Sequence, residues 1–260
     1  MNRDAESRKV GLARALSKLG FCSRSQAAKL IRAGRVRLNG VKRLDPESPV
    51  RLGRDRIEVD GAQVAAEARI YVILNKPRGI VTTAADEKSR ETVYSLLDKN
   101  LPWVGPVGRL DKASEGLLLL TNDSEWAARI GDPKSHVDKT YHVQISTADG
   151  ETFAEKMTAG VVVDGELFRA KSARVLRGGE KNVWLEIVLD QGKNRQIRRM
   201  AEALGAEVRR LVRVAIGPVL LGDLAKGQSR ALTAQEKKLL DRAVNLRGSE
   251  PKAQPLRNGR

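Results

Sequence analysis

Residues 107–123 read VGRLDKASEGLLLLTND, and they carry two contrary signals side by side. A single carboxylate, Asp111, stands between Arg109 and Lys112, and the chain then runs into Gly116 and four consecutive leucines. The apolar run can anchor a loop in a core, and Gly108 allows the backbone to turn tightly just before Leu110. A carboxylate at the lip of buried surface needs a cation or hydrogen-bond donors to answer it. This segment alone leaves two readings open: a salt-bridged Arg–Asp turn, or a reactive carboxylate on a rigid scaffold.

The rest of the chain says what such a carboxylate would face. Among 260 residues, 48 Lys and Arg outnumber 32 Asp and Glu, a formal net charge of +16. That excess attracts polyanions, nucleic acid first among them. The length suits one large domain and one small one. No stretch approaches the ~18 apolar residues of a membrane span, and no helix joins a basic face to a strongly apolar one, so a membrane is not the expected partner. The opening MNRDAESRKV lacks the apolar segment of a secretory signal, and a lone cysteine, Cys22, gives neither a disulfide framework nor a cysteine metal site. The expected location is cytoplasmic. His136 and His142 are the only histidines and have no metal-ligand spacing; phosphate-binding GxxxxGK[ST] and GxGxxG motifs are absent. No metal and no nucleotide cofactor is expected. Asp86, Asp123, Asp164 and Asp190 sit near turns, where capping or solvation is the default.

The pattern predicts a flexible N-terminus (1–8), a small basic α/β module (9–64), a linker AAEAR (65–69), a larger α+β domain (70–243) and a disordered tail (244–260). In the module, Val10, Ala13, Leu16 and Leu19 fall at helical spacing and Gly20 stops the helix. Ser23 to Gln26 reads as a capping box, and the helix that it opens turns Arg24, Lys29 and Arg32 outward, with Arg35 just beyond. Asn39-Gly40 is a hairpin signal. The larger domain is strand-rich, with Asp164-Gly165 and Gly178-Gly179 as turns and a mostly antiparallel sheet. Helices are expected near 91–98, 124–130, 151–159, 195–204 and 234–243, the last opened by a second capping box, Thr233 and Glu236.

Residues 189–205, LDQGKNRQIRRMAEALG, are the second informative stretch. Asn194 reads as a helix N-cap, and Ile197, Ala201 and Leu204 line a buried face. Arg195, Arg198 and Arg199 crowd the first two turns, where cations oppose the helix dipole by roughly 0.3–1 kcal/mol each. A nearby anion, a phosphate backbone or a carboxylate such as Asp111, would explain them. Glu202, four residues after Arg198, is the plainer partner. In KTYHVQI (139–145), Tyr141, Val143 and Ile145 share one face of a strand, so Tyr141 reads as core packing with a satisfied hydroxyl.

GRLDKASEGLLLLTND, KTYHVQI, GKNRQIRRM and IGPVLLGDLAKGQSRALT, in that order, resemble the bacterial rRNA pseudouridine synthases related to ribosomal small-subunit pseudouridine synthase A. LARALSKLGFCSRSQAAKLIRAGRVRLNG is similar to the RNA-binding module which that family shares with a small-subunit ribosomal protein. The resemblance spans about residues 10–243 and implies a mixed sheet with a central cleft, preceded by the small module. It implies that Asp111 is the catalytic aspartate, that Tyr141 stacks on the target base, against the core reading above, and that Arg198 pairs with the aspartate. Arg109 is implied to hold RNA or the flipped nucleotide. Ser124 stands where the family commonly has glycine, outside these positions. Lys139, Lys193, Asn194, Arg195 and Arg199, with Arg24, Lys29, Arg32 and Arg35 of the module, are the expected RNA contacts.

The expected activity is isomerisation of uridine to pseudouridine in ribosomal RNA, the large subunit favoured over the small, on naked RNA or an assembly intermediate, by a monomer without cofactor. The main rival is an RNA-binding ribosome-assembly factor with no catalysis. A DNA-binding regulator is the other; it would leave the large strand-rich domain unexplained.

Overall fold

A computed structural model describes residues 9–83 and 90–247. The expectations for residues 1–8, for Asp86 and for residues 248–260 lie outside the described residues. The elements open with β1 (Val10–Gly11), α1 (Leu12–Lys18), α2 (Arg24–Arg32), β2 (Val36–Leu38), β3 (Val41–Arg43), β4 (Pro49–Val50), β5 (Ile57–Val59) and β6 (Ala62–Gln63). β7 (Tyr71–Lys76), β8 (Gly105–Pro106), β9 (Glu115–Thr121) and α3 (Ser124–Gly131) follow. Next come β10 (Lys139–Ile145), α4 (Gly150–Ala159), β11 (Val161–Val163), β12 (Glu166–Phe168), β13 (Ser172–Arg177), β14 (Val183–Leu189) and α5 (Gln196–Ala203). β15 (Val208–Ile216), β16 (Val219–Leu220), β17 (Ser229–Ala231) and α6 (Ala234–Arg247) close the chain.

Two compact units result. One holds the chain through Lys112 with Leu118–Ala128 and Leu224–Ala231; the other holds Ala113–Leu117, Arg129–Asp223 and the chain from Leu232. In the first, α1 and α2 pack over a small antiparallel sheet of order β3-β2-β5-β6. Leu12, Leu16, Ala27, Ile31, Val36, Val50 and Ile57 form its core. The Ser23 hydroxyl accepts from the Gln26 amide at 3.1 Å and the Gln26 side chain accepts from the Ser23 amide at 3.0 Å, so the expected capping box is made. Asn39 and Gly40 take φ of 53° and 81° and join Leu38 to Val41, the two-residue turn their sequence calls for. Residues 65–69 have no regular structure and are exposed. The rest of this unit is built on the strand order β9-β7-β17, with β8 along β9. Tyr71 meets the buried Trp126 edge-on, ring centroids 4.9 Å apart.

The leucine run is a strand, β9, with all seven residues buried. Unbroken apolarity gives it no period, so its type shows only once both faces are covered. In the second unit the order is β13-β14-β10-β15-β9, antiparallel except where Glu115 and Gly116 run parallel to Val212 and Arg213. β10 and β14 alternate buried and half-buried residues, which leaves one face in the core and one toward solvent. Phe153, Ala154 and Met157 of α4 are buried. Three sequence-based boundaries are corrected. Residues 91–98 hold only a one-turn 3₁₀ helix, Val93–Leu96. α6 continues to Arg247, past the expected start of a disordered tail. α5 begins after Arg195, not Asn194, and Arg195 sits at the cap in a left-handed conformation (φ 49°) with no side-chain cap.

Candidate active site

The Asp111 loop is fixed by its backbone. The Val107 amide donates to the Leu119 carbonyl at 2.8 Å, which ties the loop entrance to β9. Leu110 is buried, and its carbonyl accepts from the Thr82 hydroxyl at 2.8 Å. Lys76, fully buried at the end of β7, donates from Nζ to the carbonyls of Asp111 and Pro77, both at 3.1 Å. The Gly79 amide takes the Lys112 carbonyl at 2.8 Å. Gly108 sits at φ 72°, the turn that its position predicts. Asp111 is half-buried and Arg109 exposed. Such multiple backbone attachment is what a preorganised catalytic group needs. Lys76 is a residue that sequence reading passes over; its signal is a lysine closing the apolar run IYVILNK, where a strand this buried tolerates a charge only if it is hydrogen-bonded.

In the second unit Tyr141 lies on the buried face of β10, 9% exposed, opposite Ile187 of β14 and Arg213 of β15. It is on the core face, as its spacing predicts, but its hydroxyl meets no partner among the described residues. A β-bulge between Thr140 and Tyr141 shifts the register against β15 at this point. Arg198, half-buried on α5, donates from Nη1 to the Val208 carbonyl and from Nη2 to the Ala113 carbonyl, each at 3.1 Å. Ala113 is two residues beyond Asp111 in the chain. Gly116 is the second residue that sequence reading misses. It has φ +100°, and a Cβ there would stand 2.2 Å from the Arg213 carbonyl oxygen, so only glycine lets β9 approach β15 so closely.

The other basic residues are placed differently. Arg199 donates to Asp164 at 2.9 Å and stacks over Phe168, and Lys193 donates to Glu166 at 2.6 Å over the same ring. The carboxylates answering these two cations are therefore in the β11–β12 hairpin. Asn194 and Arg195 are exposed. On the module, Arg24, Lys29 and Arg32 are exposed along α2, whereas Arg35 is held bidentately by Asp60. His136 and His142 lie near Asp190 and Glu186, on a loop and on the polar strand face. Asp123 accepts from the Trp126 amide and the Tyr71 hydroxyl, both at 3.0 Å, as a helix-capping residue. Among the described residues no His, Cys, Asp and Glu cluster is arranged to hold a metal ion. Cys22 is buried, which pushes its thiol up to about 11.

The chain matches the family model of RNA pseudouridylate synthases over residues 70–203 and that of the S4 domain over residues 10–57. Ribosomal large subunit pseudouridine synthase B of Bacillus subtilis (strain 168) is 36% identical over 233 residues, 88% of this chain and 94% of that protein. An uncharacterised RNA pseudouridine synthase of Aquifex aeolicus (strain VF5) is 37% identical over 234 residues, 89% of this chain and 94% of its own. A crystal structure of a pseudouridylate synthase superposes with a TM-score of 0.62 at 33% identity, covering 89% of this chain and 99% of that one.

Proposed function

This chain belongs to the RNA pseudouridylate synthase family, and from that premise we propose that it isomerises a uridine of ribosomal RNA, in the large subunit, with Asp111 as the reacting carboxylate. The reaction breaks the bond from ribose C1′ to N1 of the base, turns the base, and joins C1′ to C5 while the C5 proton leaves. It involves no net oxidation, so the chain's own side chains suffice. Asp111 acts on the ribose of the target, as nucleophile at C1′ or as base for a ribose proton. Arg198 is the residue assigned to orient the carboxylate. Tyr141 carries the base once it has left its stack, which chemistry on a stacked or paired base requires. Arg109, the half-buried Lys139, Lys193 and Arg199, and the exposed Asn194 and Arg195 belong to the RNA-facing side; their phosphate contacts, Lys139 apart, position without reading sequence. The S4 module adds Arg24, Lys29 and Arg32. The protein works as a cytoplasmic monomer.

What supports this reading is the carboxylate itself, half-buried on a loop whose backbone is held from both sides, in a family whose members act on RNA. Pseudouridines in both rRNAs, mapped by carbodiimide modification and primer extension in cells with and without the gene, test the substrate. Loss of a site in large-subunit rRNA, restored by the wild-type gene, is expected. Loss confined to small-subunit rRNA would move the target, and unchanged maps of both would leave the rival assembly factor.

A further inference from the structure

Arg213 is the one described residue whose charge is deeply buried without an evident reason. It is 5% exposed; its Nε donates to the Leu117 carbonyl at 2.7 Å, and its Nη2 is buried with no acceptor. It forms no ion pair among the described residues. The acid beside its strand, Glu115, is held by Arg210 at 2.8 and 3.2 Å. A buried guanidinium with a vacant donor is costly, because breaking such a group's pairing leaves desolvation unrepaid.

Two further polar side chains share the face of Arg213. Tyr141 lies directly opposite it on the same face, and paired residues on adjacent antiparallel strands have Cβ atoms roughly 4.5–5.5 Å apart. Lys139 lies two residues from Tyr141 on that face, with no hydrogen bond or ion pair among the described residues. Burial pushes the Lys139 ammonium below its ordinary value and the Arg213 charge adds to this, while Asp138 and Asp190 pull it back. Those two acids already face Lys171 at 2.7 Å and His136 at 3.6 Å. Arg213, with its buried vacant donor, thus shares one patch of the β10–β15 face with the Tyr141 hydroxyl and the half-buried Lys139 ammonium.

We propose that Arg213 and Lys139 take the carbonyl oxygens of the target uracil and stabilise the negative charge that the ring acquires as it leaves the ribose. This rests on Tyr141 being the residue that carries the target base. When the C1′–N1 bond breaks, by either route open to Asp111, its electron pair departs on N1 and spreads to O2 and O4. Preorganised donors aimed where charge develops, in a site closed to water, are the strongest electrostatic devices that enzymes use. The depth of Arg213 selects the ligand: a phosphodiester stays on the strand at the surface, whereas a base turned out of its stack enters the protein.

The test uses single-turnover reactions with enzyme in excess, on rRNA transcripts carrying uridine or 5-fluorouridine, reading disappearance of the N-linked nucleoside. Fluorine stabilises the departing base anion and so substitutes in part for the missing cation. Arg213→Met is expected to slow uridine cleavage about 100-fold or more with RNA affinity nearly unchanged, the size of losing one preorganised donor. The deficit should shrink about tenfold on the fluorinated RNA, and Lys139→Met should show the same pattern more weakly. Equal deficits on both RNAs would overturn the proposal in favour of a structural role, and lost affinity with an unchanged saturated rate would overturn it in favour of a phosphate site. Should Arg213→Met fail to fold, Lys139→Met and Arg213→Lys decide by the same criteria. A wild type that cleaves neither RNA would instead sink the reading on which the proposal rests.

Discussion

Cations on α2 and cations around the Asp111 and Tyr141 segments come from the same basic composition and do opposite work. Arg24, Lys29 and Arg32 stand in solvent on a short helix with Lys29 and Arg32 in its last turn, where the dipole favours them. Lys76, Arg198 and Arg213 reach inward and donate to main-chain carbonyls of Asp111, Ala113 and Leu117. Exposed cations of the first kind attract polyanions at long range, an attraction that salt weakens. The second kind holds backbone in place, and salt does little to it. The difference teaches that a net charge of +16 is not a single property. Part of it stands in solvent, and part of it holds main-chain carbonyls in the interior.

The contrast can be broken from either side. Lys76→Met removes an interior cation and releases the Asp111 carbonyl. The expected result is a fall of about 100-fold in the saturated rate with RNA affinity nearly unchanged, the cost of a slightly misplaced reacting group; a variant with normal rate would show that the loop does not depend on this lysine. Replacing Arg24, Lys29 and Arg32 together by Gln should do the reverse. Filter-binding titrations across a salt series should show about tenfold weaker binding and a log–log slope shallower by about 2–3, with the saturated rate retained. An unchanged slope would take α2 off the RNA.

Two smaller effects touch the fold without touching either set of cations. Ser23→Ala removes the capping box of α2 and should cost about 1 kcal/mol in a denaturant titration, with the saturated rate unaltered. Asp123 is the pH case. Burial pushes its carboxyl up, but hydrogen bonds from the Trp126 amide and the Tyr71 hydroxyl, with Arg69 nearby, more than offset this and leave it below its ordinary value. A lowered pKa means that its contribution is complete above the unfolded carboxylate range and is lost as pH falls through the folded value. Melting temperatures of wild type and Asp123→Asn should therefore converge as pH drops from 5 toward 3; a constant gap would contradict the assignment.

Local chemistry made much of the fold legible. The capping boxes at Ser23 and Thr233 and the Asn39-Gly40 turn are decided within a few residues, and the structure has them where the sequence puts them. The leucine run was harder, since a strand buried on both faces shows no alternation. Asn194 is the cap that residue type suggests, but the chain uses Arg195 in a left-handed turn, a choice made by the whole loop. In the candidate site, Asp111, Tyr141 and Arg198 stand out through motif resemblance. Lys76, Gly116 and Arg213 do not, because what defines them is distant in sequence. Lys76 meets a carbonyl 35 residues away, and Arg213 one 96 residues away. Tyr141 shows the limit of a face-based reading: its spacing does put it on the core face, yet that face also carries Lys139 and an arginine, Arg213, with a buried donor in want of an acceptor.

Asp111 is proposed as the carboxylate through which this protein converts uridine to pseudouridine in RNA. Tritium release from large-subunit rRNA transcripts labelled at uridine C5 tests it most directly, since the C5 proton leaves only when the new bond to ribose forms. Wild type should release label stoichiometrically with the modified site, and Asp111→Asn, folded and binding RNA as wild type does, should release none above background. Equal release by the two proteins would contradict the account, because the carboxylate would then have no part in the reaction.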